Sequence, residues 1–311
     1  MERALAIDLG GTKLAVGVVD AEGRVLAREA AATPLGEARD VVALAARLSA
    51  SVLARAGPAR RGGVSLPGIV DRSSGALASS PSSGWRDVPF PALLSEALGM
   101  PLAFDNDVKA CAFAESRLGA GRGLDSFFWL QVSTGIGGAA CVGGRVLDGA
   151  RGMAGEVGHL VVRERGAACG CGHRGCLEAE AAGPAWRREA LALLDANEEP
   201  ATKLRELPRE AIDARTVAAL ARGGDRACLG IAERAGKALA RGVAAIASVL
   251  DPQAIFLGGG VAGAIDLLAP VVERELDSLS LGEPGPLPRL LPSAIGYDAA
   301  LVGAAALALF P

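Results

Sequence analysis

The sequence predicts an α/β protein built on a duplicated scaffold, and three observations carry that expectation. Short apolar runs of strand length alternate with segments of helical spacing along the chain. A strand, glycine turn, strand unit opens the sequence, with Ala4–Asp8 running through Leu9-Gly10-Gly11-Thr12-Lys13 into Leu14–Val19. The same unit recurs as Phe127–Val132, then Ser133-Thr134-Gly135-Ile136-Gly137-Gly138, then Ala139–Val142. At 311 residues, 50% of them hydrophobic, the chain has enough apolar side chains for two domains.

The elements follow in order. Val25–Ala31 reads as a third strand, and Glu37–Ala56 has helical spacing with a stop at Gly57. Gly63–Leu66 is a buried strand that leads into Pro67-Gly68. Asp71–Trp85, rich in serine, glycine and proline, reads as a loop or small flap. Leu102–Phe104 is a short strand ending at Asp105-Asn106-Asp107, and an alanine-rich helix follows to about Leu118. After the second strand pair the chain is mostly helical from Pro184 to Leu250, with a long helix from about Asp225 that stops before Pro252. Ala254–Leu257 is a strand, Gly258-Gly259-Gly260 a turn, and Ala299–Leu309 a last apolar helix. Strands alternating with helices imply sheets covered on both faces.

Composition excludes several function classes. The net charge is −3 without a basic cluster, so there is no electrostatic footprint for nucleic acid. The uncharged run Ser126–Gly144 is broken by polar and turn residues, so it reads as buried strands and not as a membrane span. The expected partner is a small molecule, with neither nucleic acid nor membrane involved.

The densest chemical signal is His159-L-V-V-R-E-R-G-A-A-Cys169-G-Cys171-G-His173-R-G-Cys176-L-Glu178, which holds both histidines and three of the six cysteines. Three thiolates and an imidazole are a recurring ligand set for closed tetrahedral zinc, and the interspersed glycines let the loop bend. The spacing leaves the fourth ligand open between His159 and His173. Cys169 and Cys171 are too close for an easy disulfide, and no secretory signal is evident, so metal-bound thiolates in a reducing, cytoplasmic compartment are expected. Cys111, Cys141 and Cys228 stand in apolar surroundings and read as core. The turn Asp8-L-Gly10-Gly11-Thr12-Lys13 can aim backbone N–H groups at phosphate, with a carboxylate nearby for hydrated Mg2+; it has neither the Walker nor the G-x-G-x-x-G spacing. Asp107 before an alanine helix reads, in isolation, as a helix cap.

Taken together these residues resemble the ROK group of sugar kinases and sugar-responsive repressors, within the actin-like ATPase superfamily. The resemblance rests on Asp8-L-G-G-T-K-Leu14, Leu66-Pro67-Gly68-I-V-D, Asn106-Asp107 with Glu115 closing the helix, and Ser133-T-G-I-G-Gly138. It continues through Gly155-Glu156-V-G-His159, the C-G-C-G-x-x-G-C-L-E run and Leu257-G-G-G-Val261, end to end. It implies two actin-like ATPase (ribonuclease H-like) domains with a central cleft. These would comprise residues 1–118 plus 297–311, carrying the catalytic aspartate, and residues 119–296, carrying the zinc loop and nucleotide-binding turns.

The resemblance further implies an ATP-dependent kinase acting on the 6-hydroxyl of a hexose, glucose first, with N-acetylmannosamine, N-acetylglucosamine or another hexose as alternatives. It assigns structural Zn2+ to His159, Cys169, Cys171 and Cys176, and leaves His173 outside. It assigns the hexose to Gly68, Asn106, Asp107, Glu156, His159 and Glu178, with Asp107 as the base. ATP is expected in the cleft, on Gly10, Gly11, Thr12, Lys13, Thr134, Gly135 and Gly137, with adenosine near Gly259 and Gly260 and Mg2+ near Asp8. A carboxylate of ordinary basicity suffices for Asp107, because phosphoryl transfer has a loose transition state governed by positioning. A homodimer is implied too.

Departures are Lys109 for asparagine, Ser65 and Ser133 for glycines, and Pro81-Ser82-Ser83-Gly84-Trp85 in place of an asparagine-leucine segment before tryptophan, which leaves the choice of hexose open. The rival expectation is a non-catalytic sugar sensor of the same family. Such regulators carry an N-terminal winged helix-turn-helix, for which a first strand at Ala4 leaves no room. A zinc hydrolase would need an open metal position, which four protein ligands do not leave.

Overall fold

A computed structural model describes residues 2–71, 74–80, 83–196, 201–279 and 287–311. In chain order its elements begin with β1 (Arg3–Leu9), β2 (Lys13–Asp20), β3 (Val25–Ala32), α1 (Ala38–Ala56), β4 (Gly62–Leu66), β5 (Ile69–Asp71), β6 (Ala76–Ser80) and β7 (Trp85–Val88). Next come α2 (Phe90–Leu98), β8 (Leu102–Asn106), α3 (Asp107–Leu118), β9 (Ser126–Val132), β10 (Ile136–Val142) and β11 (Arg145–Val146). The rest are α4 (Leu177–Ala181), α5 (Gly183–Asp195), α6 (Ala214–Arg222), α7 (Arg226–Leu250), β12 (Ala254–Gly258), α8 (Ile265–Leu279), β13 (Arg289–Pro292) and α9 (Ala299–Leu309).

Two five-stranded sheets have the orders β3-β2-β1-β4-β8 and β11-β10-β9-β12-β13. In the first, β1 pairs antiparallel with β2 and parallel with β4, which pairs parallel with β8. In the second, β12 lies parallel to both β9 and β13. The matching strand orders are the duplication read from the two glycine turns. The chain divides into a first unit of Met1–Leu124, Cys141–Ala154 and Ala294–Pro311, and a second of Asp125–Ala140 and Gly155–Ser293.

The first unit buries α1 through Val41, Leu44, Ala45, Leu48 and Val52, whose spacing is one helical face, against Leu5, Ile7, Leu14 and Val16 of β1 and β2. The helix α9 is buried almost all round, as an apolar helix with no polar face must be, among Ala4, Ala6 and Ala114. In the second unit α7 is capped by Asp225, whose Oδ1 accepts from the N–H groups of Ala227 and Cys228, and it ends at Asp251 with φ 41° before Pro252. Its buried face joins Phe128, Leu130, Ile255 and Leu257 in one core.

The structure departs from sequence expectation in four places. The described residues of Asp71–Trp85, expected as a loop or small flap, contribute to a small antiparallel sheet of order β5-β6-β7, in which Leu77 and Ser80 of β6 are buried. The helix α2 and strand β13 had no counterpart in the sequence reading. Gly137 and Gly138, expected in a turn, lie inside β10, so the second turn is only Ser133–Gly135.

The division also differs from the expected one at Cys141–Ala154, which groups with the first unit. There the side chain of Lys109 (6% exposed) on α3 donates to Asp148 Oδ1 and to the carbonyl of Gly152, both at 3.0 Å. Asp148 is 35% exposed, so water compensates part of its charge once Lys109 is removed. Lys109→Ala is therefore expected to cost about 2–3 kcal/mol, below the roughly 3–5 kcal/mol of a fully buried pair. The measurement is the urea midpoint; a midpoint equal to wild type contradicts the anchoring role.

Candidate functional site

In the first unit the end of β8 places Asn106 and Asp107 at the start of α3. Asn106 Oδ1 caps the helix, accepting from the N–H groups of Val108 at 3.0 Å and Lys109 at 3.2 Å. Its Nδ2 donates to the Gly68 carbonyl at 3.0 Å and to Asp107 Oδ1 at 2.9 Å. Gly68 has φ 104°, and a Cβ there would run into the Ser79 carbonyl, so the Pro67-Gly68 turn requires glycine. Gly68, Asn106 and Asp107 thus form one constellation. Asn106 makes the principal cap, while Asp107 Oδ1 accepts both from Asn106 Nδ2 and from the Val108 N–H.

Asp107 is more basic than phosphoryl transfer requires. Desolvation, followed by the negative charge of Asp8, pushes its pKa up to about 7. Asp8 is raised as well: burial dominates, opposed by a hydrogen bond from Ser65 and the charge of Lys13. Ser65 Oγ, fully buried, donates to Asp8 Oδ1 at 2.8 Å. Sequence reading had noted Ser65 only as a departure from a glycine; the geometry makes it the residue that orients Asp8. The charge of Asp8 raises Asp107, and a divalent cation with oxygen ligands would relieve that repulsion.

The first turn is closed by the Gly10 N–H donating to the Lys13 carbonyl at 2.9 Å, and Thr33 Oγ1 donates to the Gly10 carbonyl at 2.7 Å. The Gly10 amide is therefore engaged inside the turn. Gly11 is half-buried, and Thr12 and Lys13 are exposed. The Lys13 ammonium stands 5.7 Å over the ring of Tyr297. A cleft beside this turn is lined by Gly10, Gly11, Leu35, Pro67, Ser83 and Trp85, and the Trp85 indole donates to the Gly36 carbonyl at 3.0 Å. Ser82, on which the departure from the asparagine-leucine segment turned, lies outside the described residues.

In the second unit a short helical turn, Val157–His159, places Glu156 and His159 together. One ligand atom each from His159, Cys169, Cys171 and Cys176 lies within 4.8 Å of every other. Cys171 Sγ is 3.6 Å from Cys176 Sγ, and Cys169 Sγ is 3.8 Å from His159 Nδ1. Ligands at Zn–S bonds of about 2.3 Å stand about 3.8 Å apart in a tetrahedron, so the set fits zinc. His173, which the spacing had left as an alternative, approaches Cys171 at 3.5 Å but is not one of the four.

His159 Nε2 faces the other way, 3.9 Å from Glu156 Oε2, so one ring nitrogen turns to the sulfurs and the other to a carboxylate. The His173 backbone N–H above all lowers Cys171 to about 6, while burial and the neighbouring thiols raise Cys176 to about 12. A divalent cation is what lets such a set ionise together.

The loop is braced by Glu180 (5% exposed), which accepts from the Ala167 N–H at 2.6 Å and from Arg163 at 3.3 Å. Nothing in the sequence had marked Glu180. Glu178 Oε2 accepts from the Ile136 N–H at 2.9 Å, and its Oε1 lies 3.8 Å from Cys169 Sγ. The turn containing Thr134 and Gly135 meets α5 through a hydrogen bond from the Gly183 N–H to the Ser133 carbonyl at 2.8 Å. A Cβ on Gly260 would stand 3.7 Å from Ser133 Oγ, so Gly259 and Gly260 adjoin the same turn.

The ROK family model matches residues 4–310. The chain belongs to the ROK family. Over 310 residues this ROK protein is 33% identical to a glucokinase from Thermotoga maritima, covering 98% of this chain and 96% of that one. It is 34% identical over 307 residues to the N-acetylmannosamine kinase of Escherichia coli, covering 98% and 97%. Among solved structures, the ROK glucokinase of Streptomyces griseus in complex with glucose and AMPPNP superposes with a TM-score of 0.86 at 32% identity, covering 98% of this chain and 99% of that one. Among the described residues no helix of this ROK protein is long and apolar enough to cross a membrane.

Proposed function

We propose that this chain is an ATP-dependent hexose kinase that transfers the γ-phosphate to the 6-hydroxyl of glucose. The observation that carries the reading is the half-buried Asp107 carboxylate, which faces the charge of Asp8 while Asn106 takes over the capping of α3. A carboxylate so placed can accept the proton of the 6-hydroxyl as the O6–Pγ bond forms and the bond from Pγ to the β-phosphate oxygen breaks, releasing ADP. Gly68, Asn106, Glu156, His159 and Glu178 hold the sugar through its hydroxyls, and His159 Nε2 would donate to it while Nδ1 would be the nitrogen that holds zinc. Zn2+ would be held by His159, Cys169, Cys171 and Cys176 and supplies geometry. The turns at Gly10–Lys13 and Thr134–Gly135, with Gly137 and Gly259-Gly260, hold the nucleotide. Mg2+ near Asp8 neutralises phosphate charge when bound.

The acid limb of activity follows from the base. Asp107 must be ionised to accept the proton, so log kcat/KM is expected to bend near pH 7 and to fall about tenfold per pH unit below it. A profile flat from pH 8 to pH 5 contradicts that assignment.

The second reading, a kinase of N-acetylmannosamine or N-acetylglucosamine, draws support from the relative at 34% identity. Coupled ADP release with Mg-ATP across glucose, both N-acetylhexosamines, mannose, fructose and allose separates the two. Turnover on glucose supports the first reading, and turnover on an N-acetylhexosamine alone replaces it with the second. Silence on every sugar from folded, zinc-loaded protein overturns both in favour of a sensor.

A further inference from the structure

The geometry points to Glu178 as a latch that ties the Ser133–Gly135 turn to the Cys3His centre, so that metal occupancy sets nucleotide affinity as well as sugar affinity. The inference rests on the proposed reading of that turn as part of the phosphate site. Glu178 lies two residues beyond Cys176 on α4, and Leu177 between them donates its N–H to the Leu160 carbonyl at 2.8 Å, next to His159. The position of the Glu178 carboxylate is therefore fixed from the sulfur side.

From there the side chain crosses to the turn. Its Oε2 accepts from the Ile136 N–H at 2.9 Å, while the Ser133 N–H donates to the Gly135 carbonyl at 2.8 Å and the Gly183 N–H to the Ser133 carbonyl at 2.8 Å. A Cβ added to Gly135 would stand 2.6 Å from Oε2, so the carboxylate fits against the turn with no room for a side chain. Ile136 is 5% exposed, and a buried amide left without this acceptor would carry a desolvation penalty. The turn can avoid that penalty only by moving. Its remaining N–H groups move with it, and these are the groups aimed at phosphate.

Sugar-free calorimetric titration with Mg-AMPPNP isolates this role, since with no hexose present the sugar contacts of Glu178 cannot contribute. Glu178→Ala is expected to weaken AMPPNP by about tenfold or more, within the usual range of site-to-site coupling. Glu178→Gln, whose amide oxygen still accepts from Ile136, should stay within about twofold of wild type. Gly135→Ala, which drives the carboxylate off the turn, should reproduce the Glu178→Ala loss. Stripping zinc from the wild-type protein should weaken AMPPNP to a similar extent, and Glu178→Ala should keep its zinc because Glu178 is not a ligand.

Wild-type AMPPNP affinity in Glu178→Ala, with only sugar affinity reduced, overturns the latch. A separate variant tests the underlying reading. Gly137→Val puts a branched side chain on β10, next to the turn, and a branched residue suits a strand. Weakened AMPPNP in Gly137→Val with unchanged affinity in Glu178→Ala means that the turn holds phosphate and the latch is wrong. Unchanged affinity in both means that the turn is not the phosphate site.

Discussion

Asp107→Ala is expected to lower kcat by about three orders of magnitude while the KM for sugar rises less than about tenfold, since general-base catalysis supplies roughly 10²–10⁴ and one sugar hydrogen bond is worth little over a kcal/mol. The protein should stay folded, because Asn106 and not Asp107 makes the principal cap of α3. Asp107→Asn gives the sharper comparison: it keeps the shape and the hydrogen bonds of the site and removes only the base.

Asp107→Asn also makes a prediction about stability whose sign follows from the raised pKa. The folded state holds the Asp107 proton up to about pH 7, whereas a free carboxyl releases it near 3.8. Stability contributed by this group is thus present below pH 4 and lost as pH rises through 7. The asparagine variant lacks that loss, so its stability relative to wild type should increase between pH 4 and pH 8. Retained turnover in either variant removes Asp107 from the mechanism.

Loss of the metal is the second large effect. Chelation, or Cys176→Ser, is expected to weaken sugar binding by about 100-fold or more, at the upper end of what misplacing the groups around a metal costs. The reason is geometric: His159 is one of the four atoms of the set, Glu156 lies three residues before it, and Glu178 two residues after Cys176. His173→Ala is the control. Its ring lies outside the group of four, so it should retain stoichiometric zinc and sugar affinity. Metal-free protein with wild-type sugar affinity would remove zinc from the architecture of the site, and metal loss in His173→Ala would reopen the choice of fourth ligand.

Much of this was legible in the sequence because the signals are local. The α1 face, the Gly57 stop, the start of the long helix near Asp225 and its stop before Pro252 depend on residues within one or two helical turns, where spacing and backbone preference act alone. The Cys3His set was legible for the same reason, since its thiols share one short loop. The strands β5 to β7 were not, because Ser79 and Ser80 carry no strand propensity and their pairing is decided by partners on other strands. Strand β13 was missed because four residues are too few to show a period.

Sequence by itself determined the α/β class, the duplication, the membership of Asp8, Asp107, Glu156 and Glu178 in a kinase-like pattern, and the supply of zinc ligands. Tertiary structure alone decided how those groups behave. It brought Nδ1 of His159 to the sulfurs across ten residues of chain, where spacing alone had left His159 and His173 both open. It raised Asp107 to about 7, because burial and a carboxylate 99 positions away in sequence act through space. It also gave Ser65, Lys109 and Glu180 their partners, which lie 57, 39 and 13 residues distant in the chain. Electrostatics and hydrogen bonding depend on distance in three dimensions, and a linear pattern records only the part of that distance that runs along the chain.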